Sequence, residues 1–305
     1  MMGVSAQVFR QLCIMLLYML VGYTLYKKKI LTEAGSKELA AMLVKIIIPA
    51  VIINSFCSEY TPEKAQKIAV SALEAALLLG VSILMARLVF PHKPIEQFSA
   101  AFSNPGFIGL PLIQSMLGKD AAVLVVAFIA MLNILQASYG VCILREKQDK
   151  IKWKPLLLNP IVLGSVGGAA LFASGLGTHI PDVVQTTLRG ISALNSPLAM
   201  IVLGTYLAKE NVCSLVKTPM VYVVCIIRQI LIPIGSILLL YLFPADFNLK
   251  QVLLIAAACP VGANVAVYAQ LYDKDYAYAG KIVVLSTLLA VLTMPIMIAA
   301  GSAQF

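Results

Sequence analysis

Charge is what this sequence has least of. Asp, Glu, Lys and Arg make up 12% of its 305 residues, where a soluble domain carries roughly 25%. That shortfall excludes a water-soluble globule of ordinary design. Histidine is nearly absent. The two present, His92 and His179, fall in breaks expected on opposite sides of the chain's apolar spans and cannot share a site. There is no H-E-x-x-H, no P-loop and no paired intramembrane aspartate, so neither an enzyme nor a metal centre is expected. The six cysteines (13, 57, 142, 213, 225 and 259) show no C-x-x-C or Cys/His ligand spacing and read as small apolar residues. The first apolar stretch is followed by Lys27-Lys28-Lys29 with no A-x-A site. A cleavable leader carries its positive charge before the apolar run, so this segment is expected to be retained.

What the chain has in abundance is apolar length. Sixty per cent of it is hydrophobic, the mean hydropathy is +0.92, and the apolar residues come in blocks of about 20, enough to cross a bilayer core of ~30 Å. The class is an all-α polytopic membrane protein. Ten spans are expected, near 7–26, 36–57, 66–90, 96–117, 121–144, 155–175, 183–208, 219–243, 249–272 and 276–300. No break between them is long enough for a soluble domain, so residues 1–305 form one membrane domain.

The net charge of +9 sits mostly in the odd-numbered breaks, including Lys27–Lys29, Lys93, Lys209, Lys274 and the run "REKQDKIKWK" at 145–154. Basic loops stay cytoplasmic. The chain is therefore expected in the cell (plasma or inner) membrane, with both termini on the non-cytoplasmic side. The 145–154 loop reads as an anchor beside anionic lipid, not a nucleic-acid site.

That loop divides the chain into residues 1–145 and 155–305, with five spans in each. Pro49 in span 2 has a counterpart in Pro197 of span 7, and Pro111 in span 4 in Pro260 of span 9, at nearly the same offset. Repeats of five spans must insert in opposite orientations, which is the inverted-repeat architecture of many secondary transporters. Spans 4 and 9 are also the broken ones. Span 4 contains Asn104, Pro105, Gly106, Gly109 and Pro111; span 9 contains Pro260, Gly262 and Asn264. Proline removes a backbone donor and crowds the carbonyl four residues back. Irregular backbone is tolerated in hydrocarbon only when buried in protein or lining a wet cavity. A matched pair of interrupted spans is the best sequence pointer to a transporter's binding site. Half-helix N-termini suit an anion, and Asn104 and Asn264 offer both donors and acceptors.

Three strong charges lie inside spans. Lys45 reads as snorkelling or functional. Arg228 reads as a partner for a substrate anion, as half of a structural ion pair, or as snorkelling. Glu74 reads as a proton- or cation-coupling acid or as half of a structural ion pair. Asn133 and Gln136, about one turn apart in span 5, serve either helix-to-helix hydrogen bonding or a cavity.

With these residues laid out, the chain resembles the auxin efflux carrier family, in the larger group that includes the bile-acid/sodium symporters. "NPGFIGLPL" is similar to that family's span-4 pattern at Asn104, Gly109, Pro111 and Leu112. "LLLNPIVLG", "SPLAMIVLG", "IRQILIP" with Arg228 and Pro233, "ACPVGANVAVYAQLY" and "STLLAVLTMPI" resemble its later spans in order and spacing. The resemblance implies ten spans in two inverted repeats, with spans 4 and 9 crossing at the substrate. It implies a scaffold of spans 1, 2, 6 and 7, which commonly dimerises, and a mobile unit of spans 3–5 and 8–10. It also implies small organic anions as substrates, such as indole acetate or dicarboxylates, with no cofactor beyond a possible coupling proton or sodium ion. Three departures stand out. Pro105 replaces the usual threonine, Lys45 appears four residues before Pro49 where span 2 lacks a common asparagine, and the long cytoplasmic loop of plant exporters is missing, as in prokaryotic members. The leading expectation is an elevator-type secondary transporter of a small organic anion. A sodium-coupled bile-acid-type symporter and a non-transporting membrane sensor or scaffold are the alternatives.

Overall fold

The computed structural model describes residues 4–145, 158–209 and 218–305. Among these the secondary structure is helical, and the only extended pairing is an isolated antiparallel bridge between Ser103 and Val261. The helices in chain order are α1 (Val4–Lys27), α2 (Glu33–Phe56), α3 (Pro62–Val89), α4 (Pro94–Ala101), α5 (Pro105–Leu117) and α6, which runs from Lys119–Leu135 through Gln136–Gly140 to Val141–Leu144. They continue with α7 (Pro160–Ala173), α8 (Asp182–Ala193), α9 (Asn195–Lys209), α10 (Pro219–Leu242), α11 (Phe247–Ala258), α12 (Asn264–Leu271) and α13 (Tyr276–Ser302). Among the described residues, seven stretches are long and apolar enough to cross a membrane: α1, α2, α3, α6, the α8–α9 pair, α10 and α13. The apolar helices α5, α7 and α11 are shorter. The expected loop over 145–154 lies, beyond Arg145, outside the described residues.

Helix starts follow from local chemistry. The side chains of Thr32, Thr61, Asn159, Asp246 and Asp275 accept from amides in the first turn of α2, α3, α7, α11 and α13, which satisfies donors that no helix can pair internally. Proline opens α3, α4, α5, α7 and α10, where its missing N–H costs nothing.

Proline inside a helix does something else here. Widened π turns occupy Leu43–Ile47, Pro105–Gly109 and Ile227–Leu231. Each is centred four residues before a proline: Pro49, Pro111 and Pro233. The ring excludes the carbonyl four residues back, and the helix absorbs the misfit by slipping one residue in its hydrogen-bond register. A fourth π turn, Gln136–Gly140, has no such proline, and nothing in the structure explains it.

Small residues set the closest helix contacts. α1 lies along α9, where a Cβ on Gly22 would collide with the Ile201 carbonyl oxygen, and one on Gly204 with that of Met19. α7 meets α2 through Gly164 against Pro49 and Gly168 against Phe56. Close approach through small residues is the usual substitute in membranes for a hydrophobic drive between helices. The residues of α11 from Leu249 to Ala258 are all buried. α11 contacts α3, α5, α6, α10 and α13. A helix apolar on all sides belongs in the middle of a bundle.

Candidate functional site

The two breaks meet. α4 stops at Ala101 and α5 begins at Pro105; α11 stops at Ala258 and α12 begins at Asn264. The strands of backbone between them run antiparallel. The Asn104 amide donates to the Pro260 carbonyl at 2.9 Å, and the Gly262 amide donates to the Phe102 carbonyl at 3.0 Å. Extended backbone inside a helical bundle is therefore paired with itself, which answers how the interruption is tolerated without water. Gly262 is required by this approach, because a Cβ there would sit 2.9 Å from the Ser103 carbonyl oxygen.

Four helix ends converge on the crossing, and they divide by polarity. The starts of α5 and α12 face one cavity of about 30 Å³, lined by Ser103 to Phe107 and Gly262 to Asn264 together with Ile129, Leu132 and Asn133 of α6, Val44 and Ile48 of α2 and Ile161 of α7. Its volume suits a water or two. Among the described residues, no charged side chain lines it. Positive character comes from the N-terminal ends of the two half-helices, where the Ile108, Val265 and Ala266 amides bond the nearby Asn104, Gly262 and Ala263 carbonyls. Asn104 adds a buried Nδ2 donor with no partner.

Opposite this cavity lie the ends of α4 and α11, where carbonyls have lost their donors. The amide that would bond Ala100 belongs to Asn104 and has gone to Pro260. Ala101 would be bonded by Pro105, which has no N–H. The amide that would bond Ala257 belongs to Val261 and goes instead to Ser286 Oγ at 3.2 Å. Arg228 takes up all three carbonyls. Its Nη1 donates to Ala100 at 3.0 Å and to Ala101 at 3.4 Å, and its Nη2 donates to Ala257. Arg228 is 1% exposed; its two terminal nitrogens bond only backbone carbonyls and its Nε has no partner among the described residues.

Of the residues expected at the site, Asn104, Pro105, Gly106, Asn133, Gly262 and Asn264 line the cavity. Gly109, Pro111, Gln136 and Pro260 do not, but each shapes it. Gly109 lets α5 approach Cys259. Pro111 sets the π turn that opens α5, and Pro260 supplies the carbonyl for Asn104. Gln136 Oε1 accepts from Asn264 Nδ2 at 2.8 Å. In the pair on α6, Gln136 makes the helix-to-helix bond, whereas Asn133 Nδ2 bonds its own helix at Ile129 and lines the cavity.

The three charges within spans lie elsewhere. Lys45 is exposed, one position beyond the lining residue Val44. Glu74 is buried on α3 with Oε2 unpartnered, and the charges it senses are those of Lys250 and Asp246. Arg228 bonds to backbone and makes no ion pair among the described residues. Sequence reasoning missed Ser103, the apolar wall of Val44, Ile48 and Ile161, and Asn195 on α9. Asn195 Nδ2 donates to the Gly106 carbonyl at 3.2 Å. The signal for the apolar wall was slight: Val44 and Ile48 flank Lys45, and the charge drew attention from its neighbours.

A family model described as "Membrane transport protein" matches residues 7–298. The chain belongs to this family, the auxin efflux carriers. Members of the family are transporters and not enzymes, so the chain is a multi-pass membrane transport protein. It is also similar to a Rhizobium meliloti (strain 1021) protein named "Putative malonate transporter", with 24% identity over 230 residues that cover 72% of this chain and 70% of that one.

Proposed function

We propose that this auxin efflux carrier family member is a secondary transporter that carries a small organic anion, a carboxylate or dicarboxylate of the malonate kind, through the crossing of its two broken helices. The observation that carries this reading is the convergence of two half-helix N-termini and the unpaired Asn104 amide on one uncharged cavity. A carboxylate accepts from amides and is attracted to the positive ends of helices, and a cavity without a fixed cation can release it again. The name of the Rhizobium relative agrees with a dicarboxylate. In this reading the ten spans form two inverted five-helix repeats, 1–145 and 155–305. The spans holding α1, α2 and α7 to α9 form the scaffold, through which two copies would associate in the plasma or inner membrane with both termini outside. The remaining spans move against the scaffold as an elevator. Support comes from the side of the cavity facing the scaffold, which is an apolar wall of Val44, Ile48 and Ile161, a surface past which a polar crossing can slide. No cofactor is required. The protein is tested by reconstitution into liposomes and uptake of labelled malonate. Wild type is expected to accumulate it, and Asn104→Ala and Asn264→Ala to lose at least tenfold of the initial rate. Binding of malonate by purified protein with no flux in liposomes would favour a sensor or scaffold instead.

A further inference from the structure

Carbonyl-bearing ends of half-helices are where transporters built this way commonly hold a coupling metal ion. In this chain that place has an occupant. Each helix C-terminus carries roughly half a negative charge, and the ends of α4 and α11 lie together, so the pair presents about one. Arg228 brings one positive charge to the same point. Its donors reach Ala100 and Ala101 on one end and Ala257 on the other, so a single guanidinium bridges both. The three carbonyls it takes are the ones that Asn104, Pro105 and Val261 leave open. An arginine does not lose its proton in a protein, so this positive charge is permanent.

We propose that Arg228 is a built-in replacement for a coupling cation: it neutralises the paired half-helix ends from within, so the crossing assembles and moves without sodium. The reach of this inference over transport rests on the proposed carboxylate transport; its reach over the crossing itself does not.

Two readouts separate them. The first is the thermal midpoint of detergent-purified protein in sodium chloride, in choline chloride, and in choline chloride with low-millimolar guanidinium. The wild-type midpoint is expected to be the same in sodium and choline. That of Arg228→Ala is expected to fall and to be raised by guanidinium, which re-enters the vacated position. A sodium-specific rise in wild type, or an Arg228→Ala midpoint that is unlowered or indifferent to guanidinium, overturns the proposal. Should Arg228→Ala not purify, Arg228→Lys decides. It keeps the charge but loses the fork, so a folded, partly destabilised protein is expected, and failure of this variant also to fold counts against charge replacement. The second readout is malonate uptake by liposomes. Wild-type rates in sodium and choline are expected to agree within about twofold, and a rate at least tenfold higher in sodium overturns the proposal. Absence of malonate flux, with the stability results as expected, sinks the transport reading and leaves the role of Arg228 at the crossing standing.

Discussion

Asn195 Nδ2 donates to the Gly106 carbonyl oxygen at 3.2 Å, a bond between α9 and the first turn of α5. Gly106 needs it. In the π turn of Pro105–Gly109 the Leu110 amide goes to Pro105, and the next amide in sequence would belong to Pro111, which has none. The proline that widens the turn thus strands a carbonyl, and a side chain from a helix far away in sequence satisfies it. This bond joins the part of the chain proposed to stay still to the part proposed to move.

Asn195→Ala should therefore be a stability variant first. The Gly106 carbonyl is part-buried, so leaving it without this partner should cost toward the lower end of about 1–3 kcal/mol, seen as a lower thermal midpoint. The bond must break if α5 slides past α9, so malonate uptake should fall much less than in Asn104→Ala. An Asn195→Ala protein of unchanged stability that has lost uptake would instead make Asn195 part of the binding site.

Gly262→Ala tests the bridge between the breaks. Its Cβ would meet the Ser103 carbonyl at 2.9 Å, and that oxygen belongs to backbone fixed by two cross-break hydrogen bonds. Forcing a methyl into a tight contact costs typically about 1–3 kcal/mol, and here it also spreads the crossing. The expected result is a lower midpoint together with lost uptake. Gly167→Ala is the control, because nothing lies within 4 Å of its would-be Cβ and both readouts should hold.

Much of this arrangement was legible in the residues. The helical class follows from blocks of apolar length, and the breaks in spans 4 and 9 follow from Pro105, Pro111, Pro260 and their glycines. The direction of each freed group was not legible. Whether Arg228 faced a substrate or the backbone depended on which carbonyls lost donors, and that depends on Asn104 pairing across to Pro260. No periodicity encodes a pairing between two segments so far apart in sequence. The apolar wall was hidden for another reason: Val44, Ile48 and Ile161 look like any other span residues until the crossing packs against them.

Asp246 sits between α10 and α11, where it caps α11 by accepting from the Leu249 amide at 2.9 Å and pairs with Lys67 at 2.7 Å. Partial burial works to raise its pKa, but the bond from Lys67 and the backbone bonds outweigh it and hold the carboxyl below its ordinary value. A carboxyl depressed in the folded state contributes stability above its unfolded pKa, and loses that contribution as pH falls through the folded one. The wild-type midpoint should therefore begin to drop below about pH 4, and Asp246→Asn should remove part of that drop. The pair is half exposed, so the effect at neutral pH should be below about 1 kcal/mol. An Asp246→Asn midpoint that follows wild type at every pH would show that the pair contributes nothing.

Glu74 remains the sole buried acid among the described residues. It lies on α3 against α11, with Oε2 unpartnered. The groups that bear on it are Lys250, itself buried with its ammonium 5.4 Å from the Phe305 ring, and Asp246 at the start of α11. A buried carboxyl with a free oxygen can take up and give back a proton as its surroundings change. With Arg228 proposed to fill the place of a metal ion, a proton is the coupling ion left to test. Malonate uptake by wild type should change several-fold across an imposed pH gradient. Glu74→Gln, which keeps the shape and removes the titration, should flatten that response while retaining malonate exchange at equal pH on both sides. A Glu74→Gln protein with the wild-type pH response would assign Glu74 to structure alone. Lost exchange in a variant of wild-type stability would instead make the carboxylate part of the transport path itself.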